Sequence, residues 1–432
     1  TSLGEMATYL PTSGSFATYA SRFVDPSLGF ALGWNYWFNW VITVAVDIAI
    51  AAIVVTYWEP LRFLPAWGWS IVFFALITAL NLFSVKAYGE TEYWFALIKV
   101  LTVIVFLAIG TLTIFGILGG AYVGFTNFTV GDAPFLGDGI GNKFLAILGV
   151  FLIAGFSFQG TELIGVTAGE TENPEKSIPK AVKQIFWRIL IFYILAILVI
   201  GLLIPYTSPQ LLGADVDEIA KSPFTLVFER AGLAFAAALM NAVILSSVLS
   251  AGNSGMYASV RMLYAMGKDG LAWPVFARTT RGSGVPLIAL ASTAAVILGL
   301  FLLQLNEEIG KDLFDQYIIA ASGLTGFIAW LGIAISHYRF RRAYIAQGKP
   351  LEALTYRAKW FPFGPLLALG LCVLVIIGQD TELVLNAHLD WQRLLITYMG
   401  LPVFFTFYFY HKLRYKTRKI PLTEVDLRRD AH

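Results

Sequence analysis

The sequence predicts an all-α polytopic membrane protein, and three observations support this. Of the 432 residues, 57% are hydrophobic and 13% are charged, whereas soluble domains carry about 25% charged residues. Apolar stretches long enough to cross a bilayer, about 20 residues each, alternate with short polar connections along the chain. Lipid offers no water to satisfy backbone groups, so apolar spanning segments of this length are expected to be helices.

In chain order, residues 1–28 are predicted to form the end of a helix and a polar connector that stops at Pro26. Residues 29–411 form the transmembrane domain, and residues 412–432 form a cytoplasmic tail. Ten spans are predicted: 29–57, 68–85, 94–117, 144–168, 187–206, 231–263, 285–304, 316–336, 363–378 and 393–411. Tryptophans lie at the ends of many spans, as they do at membrane interfaces: Trp58, Trp67, Trp94, Trp273, Trp360 and Trp391.

The orientation follows from the basic residues, which are enriched in the cytoplasmic loops of membrane proteins. One alternating set of connections, together with the tail, holds 22 of the 30 Lys and Arg residues. The other set of connections holds six. The basic side is therefore predicted to be cytoplasmic, which places both ends of a ten-span chain in the cytoplasm and the protein in the inner (plasma) membrane of the cell.

Several function classes are excluded by composition and motifs. The single cysteine, Cys372, allows no internal disulfide, and the four histidines show no metal-ligand spacing. No nucleotide-binding loop or catalytic triad is present. The sequence therefore predicts a protein that is not an enzyme, needs no cofactor or metal and binds no nucleic acid.

The span 144–168 contains an unusual cluster of residues. Glycines occur at positions 155, 160 and 165, and a glutamate occurs at Glu162. Unwound backbone survives at membrane depth only where it lines a protein or water cavity. Many secondary transporters hold a small substrate at a helix broken near the midplane. We therefore predict a break near residues 155–161 that forms half of a binding site.

Three charged residues stand out within apolar stretches: Asp47, Lys99 and Glu162. A charge at the bilayer centre costs on the order of 3 kcal/mol or more, so each side chain is expected to face the bundle interior. Two residues have a plainer alternative. Lys99 is long enough to snorkel to the inner surface, and the carboxylate of Asp47 suits a structural contact with a neighbouring helix. Glu162 is harder to explain structurally because it adjoins the break.

The sixth span carries a stripe of polar residues at helical spacing: Ser246, Ser250, Asn253, Ser254 and Tyr257. This stripe either packs against another helix or lines a cavity, and we predict that Lys99 faces it. In the first span, Tyr36 and Trp40 are four residues apart and share a face, which fits either packing or a gate. Residues 169–180 are predicted to be a rigid cytoplasmic turn in which Pro174 and Pro179 stop helices.

Residues 157–162 (Ser-Phe-Gln-Gly-Thr-Glu), with 168–170, 173–174 and 178–179 after them, resemble the amino-acid permease motif of the amino acid–polyamine–organocation superfamily. Residues 33–37, 251–257, 325–331 and 335–341 resemble further patterns of this superfamily, so the resemblance covers essentially the whole chain. It is strongest to bacterial lysine-specific permeases and fungal basic amino-acid permeases.

The resemblance implies a LeuT-type fold with twelve helices, built from an inverted repeat of five plus five. By this comparison the chain begins near the end of the second family helix, at residues 4–6, and is truncated at the N-terminus. The ten spans would then be family helices three to twelve. The first family helix, which supplies the other broken segment, would precede them.

The resemblance also implies roles for individual residues. Phe156 matches an aromatic lid over the substrate, Glu162 matches an acidic residue linked to protonation and transport, and Lys99 matches a lysine that occupies a sodium position in proton-coupled relatives. Tyr36, Trp40 and Asp47 resemble residues that line the site in lysine permeases. The predicted substrate site thus comprises Phe156, Ser157, Glu162, Tyr36, Trp40, Asp47, Asn253 and Ser254, with Lys99 and Glu162 in proton coupling.

The expected function is proton symport of an amino acid, with lysine as the favoured substrate. The expected partners are protons and the lipid bilayer. Within the same class, an exchanger or a permease for histidine or another amino acid is the alternative. From a different class, the alternative is an amino-acid sensor that signals through a regulatory membrane partner.

Overall fold

The computed structural model describes residues 1–82, 85–131, 139–209, 222–281, 283–304, 319–379 and 391–429. The regular elements of this part of the chain are all helical, so the predicted all-α class is confirmed. The helices are α1 (Ser2–Tyr9), α2 (Ser15–Phe23), α3 (Pro26–Val54), α4 (Ala66–Leu82), α5 (Val85–Ile114), α6 (Gly139–Phe156), α7 (Leu163–Val166), α8 (Pro174–Ile189), α9 (Ala196–Leu203), α10 (Pro223–Arg230), α11 (Ala234–Lys268), α12 (Leu287–Gln304), α13 (Ile319–Ala346), α14 (Phe363–Ile377), α15 (Trp391–Tyr398) and α16 (Gly400–Tyr415).

A helix is present in each of the ten predicted spans. Within the described part of the chain, three helical stretches are long and apolar enough to cross a membrane, namely Pro26–Tyr57, Glu92–Ile114 and Pro174–Leu203. Shorter apolar helices lie at Ala66–Leu82, Leu287–Phe301 and Phe363–Ile377. Parts of two predicted spans, residues 83–84 and 316–318, lie outside the described residues.

The long helix α3 is the centre of the packing. Asp25 caps its N-terminus by accepting a hydrogen bond from the Ser27 backbone N–H at 2.9 Å, and Pro26 takes the first helical position. Its apolar residues are buried on most sides, because α2, α11, α13 and α16 all pack against it. A helix of 29 residues is roughly 44 Å long, so α3 presents side chains to sites at very different depths.

The predicted connector before Pro26 contains a second helix, α2. Phe16, Tyr19 and Phe23 are spaced three and four residues apart, and all three are fully buried on one face of this helix. The Tyr19 hydroxyl donates to the Leu10 carbonyl at 2.7 Å, which ties α2 back to the end of α1. Because polar residues lie between these aromatics, the sequence predicted a connector in this region.

The predicted turn at residues 169–180 is wrong beyond residue 173. Pro174 is the first residue of α8, a position where the missing N–H has no helical partner in any case. Pro179 lies inside α8 and does not end it. The bend that precedes this helix is at Asn173, whose φ of 52° is left-handed.

The tryptophans at the span ends are mostly exposed, as expected at a membrane interface, whereas the C-terminal tail packs against the helices. Five of the six tryptophans predicted at span ends are between 57% and 77% exposed, while Trp58 is half-buried. The C-terminal tail packs against the helices through backbone and side-chain contacts. The Val24 carbonyl accepts from the Ile420 N–H at 2.9 Å, and Val425 and Leu427 are buried.

Candidate functional site

The helix break lies where the sequence predicted it. Helix α6 ends at Phe156, turns occupy residues 157–162, and the four-residue helix α7 begins at Leu163. Gly160 has a φ of +90°, a conformation that glycine adopts without the steric cost that other residues meet. The break therefore exposes backbone groups in the middle of the predicted fourth span.

Glu162 is the centre of the first polar cluster, which we call the Glu162 cluster. Its side chain is 5% exposed. The Tyr36 hydroxyl donates to Oε1 at 3.2 Å, and the Trp330 indole N–H donates to Oε2 at 3.0 Å. The Gly160 backbone N–H lies 3.1 Å from both carboxylate oxygens. The cluster thus joins α3, α13 and the broken helix through one carboxylate.

Close packing brings these three elements together. Gly326 of α13 faces Gln159, and a Cβ on this glycine would lie only 2.0 Å from Gln159 Nε2. Trp40 packs against the break as well, since a Cβ on Gly160 would lie 3.7 Å from its ring. The absence of a side chain at Gly326 therefore allows α13 to approach the break closely enough for Trp330 to reach Glu162.

The first residues of the break contact the π-helical turn Leu190–Leu195, which connects α8 and α9. The Tyr193 hydroxyl donates to the Ser157 carbonyl at 3.0 Å, and the Tyr193 ring stacks on Phe158 with centroids 4.9 Å apart. The Ser157 side chain is exposed. The predicted lid residue Phe156 ends α6, and its side chain lies outside the described residues.

Lys99 is the centre of the second polar cluster, the Lys99 cluster. Its Nζ donates to Ser250 Oγ at 2.8 Å, which confirms that it faces the polar stripe of α11. Ser250 donates to Glu92 Oε2 at 2.7 Å, and Asn253 Nδ2 donates to Glu92 Oε1 at 2.8 Å. Asn81 of α4 donates to Asn253 Oδ1 at 2.8 Å. Helices α4, α5 and α11 therefore meet in one network.

Asp47 belongs beside Lys99 rather than beside Glu162. A Cβ on Gly252, which precedes Asn253 of the Lys99 cluster, would lie 3.9 Å from Asp47 Oδ2. Within the described chain, the buried Oδ2 atom has no hydrogen-bond partner. Asp47 follows Tyr36 by eleven residues on α3, or roughly 16 Å along the axis. The structure thus separates the two predicted acids into different clusters.

Other predicted residues occupy neighbouring positions. Ser254 is half-buried on α11, next to Asn253 of the Lys99 cluster. Tyr257, further along the same stripe, donates its hydroxyl to Glu170 Oε2. Arg261 Nε lies 3.0 Å from Glu170 Oε1. The stripe therefore reaches from the Lys99 cluster to an ion pair beyond the broken helix.

Sequence reasoning missed Trp330, Tyr193, Asn81 and Glu92 as partners of the candidate residues. Trp330 lies in a segment that resembles a family pattern, although the resemblance gave it no role. Glu92 was placed before the third span because that span was predicted to begin at residue 94, whereas α5 begins at Val85. The sequence signal that pointed to Glu92 was its spacing from Lys99. Residues seven apart share a helix face, and Glu92 precedes Lys99 by seven.

A multi-pass helical bundle with a broken helix and buried ionisable groups along its interior defines a membrane transporter. The family model described as amino acid permease matches residues 1–422, and the chain belongs to this family. Its members are transporters rather than enzymes, and their substrates are amino acids.

Three relatives cover almost the whole chain. The lysine-specific permease LysP of Lactococcus lactis subsp. cremoris (strain MG1363) is 54% identical over 99% of this chain and 82% of its own length. The lysine-specific permease LysP of Escherichia coli (strain K12) is 53% identical over 98% of this chain and 86% of its own length. The histidine permease HisP of the same Lactococcus strain is 51% identical over 100% of this chain and 87% of its own length.

Proposed function

We propose that this amino acid permease imports lysine by proton symport across the inner membrane of the cell, with both ends in the cytoplasm. The observation that carries the proposal is the environment of Glu162. Its carboxylate is buried, and the donors that contact it in the described structure are the neutral groups of Tyr36, Trp330 and Gly160. A buried charge without a counter-ion is expensive, which favours a cationic substrate group or a proton at this position.

The cationic substrate is lysine in this proposal. The lysine side chain is charged at neutral pH, because its ordinary pKa is about 10.4. Two of the relatives at 53–54% identity are named lysine-specific permeases, which supports the same choice. The histidine permease at 51% identity favours histidine as the second candidate substrate.

Proton coupling is supported by Lys99. Its ammonium group donates to Ser250 in a hydrogen-bond network that joins α4, α5 and α11. The proposal is also supported by the family resemblance, in which Lys99 matches a lysine that occupies the position of a sodium ion in proton-coupled relatives. In the proposed cycle, loss and regain of the Lys99 proton replace the binding and release of that ion.

The orientation is supported by charge. The connections that are rich in Lys and Arg, together with the tail, are proposed to face the cytoplasm, as the positive-inside rule requires. The tail packs beside the end of α2 and the end of α13, since Arg22 and Gln347 donate to its backbone carbonyls. The Tyr9 hydroxyl of α1 also donates to the Leu427 carbonyl of the tail, which supports placing both chain ends on one side.

Uptake of labelled lysine into proteoliposomes containing the full-length protein tests the proposal. We expect accumulation that requires an inward proton gradient, and stronger competition from unlabelled lysine than from histidine. Stronger competition from histidine would overturn the substrate assignment, and gradient-independent exchange alone would identify an exchanger. Binding without uptake would favour a sensor with a regulatory membrane partner.

The variant Lys99→Ala tests the coupling step separately. We expect it to lose the pH dependence of uptake while the protein remains folded and inserted. Unchanged pH-dependent uptake would show that Lys99 is structural. Lys143→Ala is a matched control, because Lys143 is exposed near the start of α6.

A further inference from the structure

We propose that Glu92 is the proton acceptor of a relay in which a proton passes from Lys99 through the Ser250 hydroxyl. This inference rests on the proposed proton symport and assigns a transport role to a residue outside the predicted site. It is carried by two consecutive hydrogen bonds, Lys99 Nζ to Ser250 Oγ at 2.8 Å and Ser250 Oγ to Glu92 Oε2 at 2.7 Å.

The direction of this chain follows from the chemistry of its ends. An ammonium group can only donate hydrogen bonds, and a carboxylate can only accept them. Ser250 must therefore accept from Lys99 and donate to Glu92. Each proton already points toward the next acceptor, so transfer along the chain requires no rotation of the hydroxyl.

The second oxygen of Glu92 is fixed by a different set of groups. Oε1 accepts from Asn253 Nδ2 at 2.8 Å, and Asn253 in turn accepts from Asn81 at 2.8 Å. This arrangement holds the carboxylate plane and leaves Oε2 for Ser250. Asn81 and Asn253 are therefore positioning residues, because they act on the relay through Glu92.

The proton step balances without any co-reactant. One N–H bond of the Lys99 ammonium breaks as its proton passes to Ser250 Oγ, and the original Ser250 proton passes to Glu92 Oε2. The products are a neutral amine, an intact serine hydroxyl and a neutral carboxylic acid. Glu92 then releases its proton to water on the proposed cytoplasmic side, and a proton from the opposite side later restores Lys99.

Position and charge along α5 agree with this route. Glu92 lies two helical turns before Lys99 on the same face, or roughly 10 Å nearer the start of the helix. The connection that precedes α5 belongs to the set proposed to be cytoplasmic. The other charged groups near Lys99 are Asp47 on α3 and Arg188 on α8. Neither of them is altered in the Glu92 variants.

The test compares two transport modes in proteoliposomes of the full-length protein. Accumulation driven by a proton gradient requires net proton movement, whereas counterflow exchange of labelled for unlabelled lysine requires none. For Glu92→Gln we expect driven accumulation to fall at least tenfold and its pH profile to flatten, while counterflow stays within twofold of wild type. Ser250→Ala should behave similarly, and Ser250→Thr, which keeps a hydroxyl, should retain at least half of the driven accumulation.

Matched controls come from the same helices. Glu90→Gln removes an exposed carboxylate from α5, and Ser259→Ala removes a hydroxyl that bonds to the Met256 carbonyl of its own helix, α11. Both should keep driven accumulation near the wild-type level. Glu92→Asp keeps a carboxylate and should recover part of the coupling lost in Glu92→Gln.

The outcomes separate the relay from the proposed function on which it rests. If the wild-type protein shows no proton-driven accumulation, the symport proposal fails. If the wild type is coupled and Glu92→Gln is coupled equally well, the relay is overturned. Loss of counterflow together with driven accumulation in Glu92→Gln, in protein that remains monodisperse, would make Glu92 structural and would also overturn the relay.

Discussion

The indole N–H of Trp330 donates a hydrogen bond to Glu162 Oε2 at 3.0 Å, joining α13 to the broken helix. Tyr36 approaches the other oxygen of the same carboxylate from α3. The one acidic group at the break is therefore shared by three elements. A cationic substrate that pairs with Glu162 must share or replace these neutral donors, which links substrate binding to the contacts between the elements.

Neutralising Glu162 is expected to weaken lysine binding selectively. In Glu162→Gln, a charge-assisted contact of about 1.5–3 kcal/mol is lost, so the apparent affinity for lysine should fall roughly ten- to a hundredfold. A neutral amino acid lacks this contact and should lose less affinity. The measurement is competition by lysine and by a neutral amino acid in proteoliposomes.

Two variants serve as comparisons for this prediction. Glu172→Gln removes an exposed carboxylate beyond the break and should change neither affinity. Asp47→Asn should affect lysine and the neutral substrate equally, because Asp47 lies in the Lys99 cluster. Equal losses of affinity for both substrates in Glu162→Gln would mean that Glu162 does not recognise the lysine side chain. A loss of affinity for lysine alone in Asp47→Asn would show that Asp47 recognises it instead.

A buried ion pair between α1 and α13 is expected to be essential for stability. Arg341 Nε donates to Glu5 Oε1 at 2.6 Å, His337 Nε2 lies 3.3 Å from Glu5 Oε2, and the Ala358 N–H donates to Oε2 at 2.6 Å. Glu5→Gln leaves Arg341, which is only 3% exposed, without its counter-ion. Breaking such a pair costs about 3–5 kcal/mol, which should appear as a large drop in thermal stability in detergent.

The matched control for Glu5 is an exposed pair on the same side of the molecule. Glu175 and Arg429 form a bond of 2.8 Å, with side chains 50% and 45% exposed. Exposed pairs contribute about 0–1 kcal/mol, so Glu175→Gln should leave the melting temperature almost unchanged. Equal effects of the two substitutions would contradict the structural role given to the Glu5 pair.

The crossing of α2 and α3 is expected to tolerate no side chain at Gly29. An added Cβ would lie 2.5 Å from the Ala17 carbonyl oxygen and 2.7 Å from the Ser21 nitrogen, and both are backbone atoms. Overpacking of this kind costs about 1–3 kcal/mol, so Gly29→Ala should lower thermal stability. Gly299 of α12 has open space around its Cβ position, and Gly299→Ala should be neutral or slightly stabilising. Equal stability of the two variants would refute the close crossing.

Acid should destabilise the protein partly through Asp25. Burial alone would raise the pKa of this carboxyl, but hydrogen bonds from Lys412, from the Ser27 backbone and from Thr417 outweigh it and lower the pKa. The stabilisation is then fully present above the unfolded pKa of about 3.9 and is lost as pH falls through the lower folded value. Thermal stability should therefore decline below about pH 4.

Asp25→Asn isolates this contribution, because asparagine is also a good N-cap residue but does not titrate. The variant should be less stable than wild type at pH 7, and its stability should fall less steeply between about pH 4 and pH 2. Lys412→Met should flatten the same slope, since it removes a main partner of the carboxylate. Parallel pH profiles in wild type and both variants would show that Asp25 does not contribute.

The sequence by itself determined the membrane class, the positions of the helices and the break. These features are local, because a spanning segment must satisfy its own backbone groups and its apolar length and glycines are visible in the chain. The break, which lies at residues 157–162, was predicted in this way. The helix at residues 15–23 and the start of α8 at Pro174 were not, since burial of one aromatic face and tolerance of proline depend on the neighbouring elements.

Only the tertiary structure decided which polar groups meet. Tyr36 and Trp330 are separated from Glu162 by 126 and 168 residues in the chain. Whether they reach it depends on how each helix is rotated and on close approaches such as that at Gly326. Hydropathy and spacing fix the face of a side chain but not the neighbour of that face. For this reason the sequence placed Asp47 and Glu162 in one predicted substrate site, whereas the packing of α3 places them in two clusters roughly 16 Å apart along its axis.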